Sequence, residues 1–386
     1  MTEPEVLRRV HQYLLSENIA GLPVVRLYTD AHATLTKHHD LAPFQRFVID
    51  FGDFATHPDL VAQLGDGESL LAVEGKGETD LLSGLFQAEL YQAGVQLAFL
   101  AAASNGIGSS LLEAARRRSV GVLSVGDEVE PLYVPEPRFP MQKHYRFLLR
   151  QIESVVYVTE EGTFSYNLPT HYLVWPIVLD SRMPFEIDSL AQRLEGYSLP
   201  KETVAVLGGA QKLGLVAIEG RRVHLTDVGR AVKQLLPTDV AEWSRIHSRI
   251  SNRGAERTLN DEHRAAAAAL RLLLFQDLIV RILVERLRHF PDRRANFAGL
   301  AVKCDQFDHA GAPIFFLKLE SARRLGDEKG RISWDEVQAD DYRSTTFYQY
   351  KSLLKHAGIL AHGKLGGASA KGYDPTQDVW ALSAEL

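Results

Sequence analysis

A chain of 386 residues, 45% hydrophobic and 24% charged, is too long for one average core, and its composition excludes a disordered or fibrous protein. Its only cysteine, Cys304, excludes an intrachain disulfide and any multi-cysteine zinc site, and fits a reducing cytoplasm. The net charge of −6 argues against an unspecific nucleic-acid coat; residues 1–150 hold 13 Lys and Arg against 19 Asp and Glu, and the remainder 30 against 30, so the acid excess lies wholly in the first part.

The opening MTEPEVLRRVHQYLLSEN lacks a secretory apolar core and reads as a short amphipathic helix. Strands are expected at 45–51 (QRFVIDF) and 69–76 (SLLAVEGK), the second entered through the turn-forming GDGE. A helix follows at 81–94, where Leu81, Leu82, Leu85, Phe86, Leu90 and Tyr91 recur at helical spacings. Then come an unbroken apolar strand at 95–103, a helix at 109–119 with arginines in its last turn, and a strand at 120–125. This alternation predicts an α/β domain with a mixed sheet over residues 1–140, ended by the proline-rich PEPRFP at 135–140.

The pattern then changes. Helices at 171–181, 187–196 and 201–215 precede a hairpin at 215–226 turning on Gly220, Arg221 and Arg222, so residues 141–237 are expected to form a mainly α winged helix-turn-helix. Residues 238–294 read as a helical, arginine-rich connector. Its apolar run AAAAALRLLLFQDLIVRILVERL is broken by Arg271, Gln276, Asp277 and Arg281, which a lipid-facing span would not tolerate, so a buried helix is expected and no membrane partner. Residues 295–386 repeat the order: helices at 313–326, 332–339 and 343–360, and a wing at 361–382 tipped by HGKLGGASAKG.

Chemistry concentrates in HPDLVAQLGDGESLLAVEGKG. Residues two apart on a strand share a face, so Glu74 and Lys76 emerge together while Gly75 points away. If strand or loop pairing brings Asp59 beside Glu74, two carboxylates suit a hard divalent cation such as Mg²⁺ or Mn²⁺, and Lys76 stands beside its water. Gln87 and Tyr91, four apart on the next helix, can position a phosphate or water. The plainer alternative for Glu74 and Lys76 is a solvated ion pair at a strand end. Asp30, His32, His38, His39 and Asp40 lack a fixed ligand spacing and read as a polar loop.

Pro58-Asp59 followed by Glu74-Gly75-Lys76 resembles the PD-(D/E)xK motif of the restriction-endonuclease-like nuclease superfamily, and QAELY at 87–91 is similar to the QxxxY motif of its RecB-like branch. Glu74 stands where that branch commonly has Asp. The resemblance, over roughly residues 20–130, implies a restriction-endonuclease-like fold, Asp59 and Glu74 as metal ligands with the Gly75 carbonyl, Lys76 as catalytic lysine, and Gln87 and Tyr91 as supporting residues.

The winged helices suggest duplex DNA as partner. Candidate contacts are Lys201, Lys212, Arg221 and Arg222 in the first, and Arg343, Ser344, Thr345, Thr346, Tyr348, Lys351, Lys355, Lys364 and Lys371 in the second. The combined expectation is a cytoplasmic, magnesium-dependent deoxyribonuclease, acting as a homodimer in restriction or another prokaryotic defence system. Two alternatives stand beside it: a nuclease subunit working with protein partners in recombination, repair or transposition, and a winged-helix regulator whose nuclease fold is inert.

Overall fold

The computed structural model describes residues 1–65, 67–159, 164–179, 183–190, 194, 197, 203–252, 257–361 and 372–386. They form two compact units, Met1–Glu153 with Gly326–Ile332, and Ser154–Leu325 with Ser333–Leu386. Residues 237 and 294, two of the expected boundaries, lie within the second unit.

The first unit is built on a six-stranded mixed sheet. Its chain order is α1 (Glu3–Ser16), β1 (Val24–Thr29), β2 (Ile49–Asp50), β3 (Ala55–Thr56), β4 (Leu60–Leu64), β5 (Leu70–Lys76), α2 (Leu81–Tyr91), β6 (Leu97–Ala103), α3 (Ser109–Arg118), β7 (Gly121–Val125) and β8 (Val129–Tyr133). The sheet order is β1-β4-β5-β6-β7-β8. β5, β6 and β7 run parallel and the outer pairings are antiparallel, the arrangement that helix crossovers through α2 and α3 require.

At the start of α1, Glu5 accepts from the Thr2 amide at 2.7 Å, holding the first turn. The helix lays Val6, Leu7, Val10 and Leu14 onto Leu71, Val73, Leu97, Phe99 and Ala101, forming the core of one sheet face. Strand alternation sends Ala72, Glu74 and Lys76 to the opposite face, where α2 packs.

The strand expected at 45–51 is mostly absent. Only Ile49–Asp50 pairs, in a two-residue ladder with Ala55–Thr56. Phe47, Val48 and Ile49 are buried, as their apolar character demands, but the Gln151 side chain takes the place of a neighbouring strand. It accepts from the Val48 amide at 3.0 Å and donates to the Val48 carbonyl at 2.9 Å. The strands on the far side of β5 are instead β4 and β1.

The boundary between units falls within α4 (Gln142–Thr159). The second unit continues with α5 (Thr170–Val178), β9 (Phe185–Glu186), α6 (Thr203–Lys212), β10 (Val216–Glu219), β11 (Arg222–Leu225), α7 (Asp227–Lys233), α8 (Val240–Ser251), α9 (Leu259–Glu262), α10 (Arg264–Leu274) and α11 (Leu278–Leu287). Then come β12 (Arg294–Asn296), α12 (Phe297–Asp305), α13 (Ala312–Phe316), α14 (Leu319–Leu325), α15 (Ser344–His356) and β13 (Val379–Ala381). The expected hairpin is β10–β11, joined by β9 into a three-stranded sheet. The apolar run of the connector is two helices, α10 and α11, each with one buried face and an exposed one that carries Leu272 and Arg281, broken where Asp277 caps the second.

Two expected C-terminal helices differ. That at 313–326 is interrupted because Leu317 bridges to Tyr342 and the Lys318 amide donates to Asp341 at 2.9 Å. That at 332–339 is only a short 3-10 turn, Trp334–Glu336.

A buried polar hub ties this unit together. Asp277 accepts from the Tyr157 hydroxyl (2.7 Å), the Tyr350 hydroxyl (2.9 Å) and the Ile279 amide (2.9 Å), and pairs with Lys212 at 3.2 Å. The groups come from α4, α6, α15 and the start of α11, so one carboxylate satisfies donors from four helices. A second buried pair joins Lys351 of α15 to Asp378, with the ammonium also 2.9 Å from the Val379 carbonyl. Breaking such a pair from one side strands the remaining charge, at a cost of about 3–5 kcal/mol. Lys351→Ala is therefore expected to lower unfolding stability by that order, read by chemical denaturation; a loss below ~1 kcal/mol would contradict the placement.

Candidate active site

Antiparallel pairing sets Leu60 opposite Val73, so one residue beyond the β4 end Asp59 meets Glu74. Asp59 is fixed there from two sides: its Oδ2 accepts from the Gly75 amide at 2.7 Å, and its carbonyl accepts from the Asp30 amide at 2.8 Å. Asp30 is held in turn by Arg46 through two bonds of 3.0 and 3.1 Å. The expected Asp30 to Asp40 polar loop thus contributes one residue that anchors the site.

Gly75 has a steric reason to be glycine. A Cβ there would sit 2.5 Å from Leu7 Cδ2 and 2.7 Å from its Cγ, so a side chain would force the buried Leu7 side chain out of its place against the sheet. On the other face, a Cβ at Gly84 of α2 would lie 2.7 Å from Lys76 Cγ and 2.9 Å from Leu100 Cδ1. This missing side chain leaves the channel along which the Lys76 stem runs.

Glu74 is 2% exposed, and both its oxygens are engaged. Oε1 receives the Lys76 ammonium at 2.6 Å, and Oε2 receives the Tyr91 hydroxyl, which also lies 3.0 Å from the His57 carbonyl. Tyr91 is fully buried, so it orients Glu74 rather than reaching a phosphate. Gln87 is placed differently: with Lys76, Thr79 and Ser83 it lines an open cavity of about 700 Å³. Asp59, Glu74, Lys76 and Tyr91 are brought together, and Gln87 shares the cavity that Lys76 opens into.

Burial pushes the Asp59 carboxyl well above the usual carboxylate range, and repulsion from Glu74 adds to the shift. Burial also raises Glu74, partly offset by its bonds to Lys76 and Tyr91. For Lys76, burial alone would lower the ammonium, but the bond to Glu74 and the surrounding carboxylates outweigh it and the net shift is upward. Burial and the two carboxylates hold the Tyr91 hydroxyl well above its ordinary value. Two adjacent buried acids, Asp59 raised by burial and by Glu74, and Glu74 raised by burial and by Glu3, are the donor set that a divalent cation relieves, because its charge offsets theirs. Their oxygens, with the Gly75 carbonyl, suit Mg²⁺ or Mn²⁺. Among the described residues no group of three or more His, Cys, Asp and Glu side chains is placed to hold a metal.

Sequence reasoning missed Glu3, whose carboxylate lies 3.9 Å from the Lys76 ammonium and lines the same cavity. Its only signal was an acid in the first turn of α1, with no spacing to connect it to VEGKG.

The DNA-contact candidates fall into distinct places. Arg221 and Arg222 stand exposed at the β10–β11 turn, paired with Asp188 and Glu186. Lys212 belongs to the Asp277 hub. On α15, Thr346, Tyr348 and Lys351 are buried, and as placed they do not face a duplex; Ser344 and Lys355 are half-buried and Thr345 is exposed. Arg343 is half-buried with one guanidinium nitrogen lacking a hydrogen-bond partner, and burial lowers its pKa. Lys201, Lys364 and Lys371 lie outside the described residues.

No protein-family model matches the chain, no curated protein matches its sequence, and no solved structure matches its fold. No helix among the described residues is long and apolar enough to cross a membrane.

Because Asp59 holds its proton to higher pH folded than unfolded, the folded state binds more protons as pH rises from the ordinary carboxylate range through the raised value. Stability contributed below that window is lost across it. Asp59→Asn removes the penalty: in chelator at pH 8 its Tm is expected to exceed that of the unsubstituted chain by a few degrees, on the order of 2–4 °C. Mg²⁺ should then stabilise only the unsubstituted chain. Equal Mg²⁺ shifts in both would remove Asp59 from the cation site.

Proposed function

We propose that the chain is a divalent-metal-dependent endonuclease that hydrolyses phosphodiester bonds in DNA, with a restriction-endonuclease-like first unit. The reading rests on one observation: Asp59 and Glu74 meet at adjacent strand ends with Lys76 held 2.6 Å from Glu74 at the mouth of the cavity. A cation held by these two carboxylates and the Gly75 carbonyl would supply a polarised phosphoryl group and an acidified water.

The protein's own groups do the positioning. Lys76 offers N–H donors and positive charge to a phosphate oxygen or to the attacking water, and Gln87 and Ser83 line the wall that the phosphate would pass. Tyr91 fixes the rotamer of Glu74, while the Gly75 amide fixes that of Asp59. Glu3, within reach of the ammonium, tunes its charge or joins the donors around the cation.

DNA would be held through exposed cations, and Arg221 with Arg222 at the β10–β11 turn of a winged-helix-like segment supplies them. Both arginines already have carboxylate partners, which phosphate would have to displace. A prokaryotic defence setting, and cytoplasmic location, belong to this proposal through the motif resemblance alone.

Lys76→Ala is expected to reduce cleavage of supercoiled plasmid in Mg²⁺ or Mn²⁺ by at least ~10²-fold while leaving DNA binding intact. If the unsubstituted chain and the variant both bind DNA and both leave it uncut, the fold is inert and the regulator reading replaces the nuclease.

Arg221→Ala with Arg222→Ala should weaken binding uniformly across sequences and flatten the salt dependence of binding by about one unit of log–log slope per arginine. An unchanged slope would move the DNA contact elsewhere.

A further inference from the structure

The α2 helix presents three stripes. Gly84, Leu85, Ala88 and Tyr91 face the sheet and are buried, and Ser83 with Gln87 line the cavity. The third stripe, Leu82, Phe86 and Leu90, is 60%, 51% and 36% exposed. Residues four apart lie one above the other on a helix, so these form a continuous apolar ridge. At the C-terminal end of α2, the Arg138 amide donates to the Gln96 carbonyl and the Met141 amide to the Ala93 carbonyl. These bonds hold Phe139 and Met141 beside that end, the ring fully exposed and the methionine 62% exposed.

We propose that this ridge is the contact between two copies of the chain, packed α2 against α2 about a two-fold axis at Phe86. An isologous contact requires a patch that is symmetric about its own centre. Leu-Phe-Leu at 82, 86 and 90 has that symmetry: Phe86 meets its counterpart and Leu82 meets Leu90 of the second copy. In the same antiparallel register Glu89 falls opposite Ser83, and Arg118, which lies over Phe86 near the axis, carries Glu89 as its counter-charge.

Size agrees as well. With ~150–250 Å² per aromatic side chain, the five residues expose on the order of 500 Å² of apolar surface per copy. A standard interface takes ~800 Å² per partner, the balance being polar rim.

A nucleic-acid occupant fits the ridge less well. Its flanking cations are already committed: Arg118 pairs with Glu89 at 3.1 Å while stacking over Phe86, and Arg117 pairs with Glu113. The Arg138 guanidinium, exposed at the C-terminal end of α2, bonds only Ser119 and Gln92 among the described residues, and one such cation falls short of the basic stripe that nucleic acid takes. The dimer does not depend on the nuclease reading, but it deepens it. Ser83 and Gln87 are one residue around the helix from the ridge, so the pairing sets two Lys76 cavities on either side of one axis, as cutting both strands requires.

The test is sedimentation equilibrium together with cysteine crosslinking, neither of which reads activity. The full chain is expected to sediment as two copies and Phe86→Glu as one, with an unchanged circular dichroism spectrum because the ring is half-exposed. In Phe86→Cys, a short bis-maleimide should give covalent dimer, whereas the equally accessible Leu15→Cys on α1 should not. Cys304 is 2% exposed and burial pushes its thiol up to about 12, so it does not compete. A chain that sediments as one copy overturns the proposal, as does equal crosslinking at both positions. So does a single-copy chain that loses DNA retention on Phe86→Glu, which would assign the ridge to nucleic acid.

Discussion

The register between β4 and β5 is the constraint on which the site depends. Because Leu60 faces Val73, the residue before β4 and the residue after Val73 come together, and these are Asp59 and Glu74. Side chains alternate along a strand, so a shift of one residue would send Glu74 and Lys76 into the face covered by α1. The packing that prevents this slip is the apolar contact of Val6, Leu7, Val10 and Leu14 with Leu71, Val73, Phe99 and Ala101. The hydrophobic core on one face therefore determines which charges emerge on the other. Burial in the same sheet gives those charges their unusual protonation. An acid at the edge of a sheet would stay solvated, whereas Glu74 sits in a strand flanked on both sides by neighbours.

The second unit uses its charges differently. Lys212 and Lys351 neutralise buried carboxylates at Asp277 and Asp378, and Arg324 bonds Asp341. Such pairs add little net stability over an apolar core, but each fixes which helix meets which. The basic side chains that remain in solvent at the β10–β11 turn are correspondingly few. The even balance of charges in residues 151–386 thus hides two populations, one holding helices together and the other facing outward.

How much was legible in the sequence depended on how local each signal was. The period-two argument placed Glu74 and Lys76 on one face and Gly75 on the other because strand alternation is a property of the backbone. α2, β6, α3 and β7 were readable for the same reason: each has its periodicity or its apolar run within a dozen residues. β1 and β4 were missed because VVRLYT and LVAQL are short and derive their strand character from neighbours far along the chain. Glu3 escaped for a related cause: over seventy residues separate it from Lys76, and only the packing of α1 brings them near. On α15, the sequence RSTTFYQYKSLLKH carries enough polar residues to pass for a surface helix. Tyr350 and Lys351 have buried partners, though, and a polar residue with a buried partner cannot be told from a solvated one by spacing.

Gln151 carries a consequence beyond the local geometry. The stretch from Phe47 to Ile49 is apolar and inclined to extend, and a short extended segment with open amide and carbonyl groups is the kind of edge on which another chain can add a strand. The Gln151 amide occupies both main-chain groups of Val48 at once. A side chain 103 residues away thereby takes the main-chain positions on which an added strand would pair at Val48, and the two ends of the six-stranded sheet, β1 and β8, remain its backbone edges.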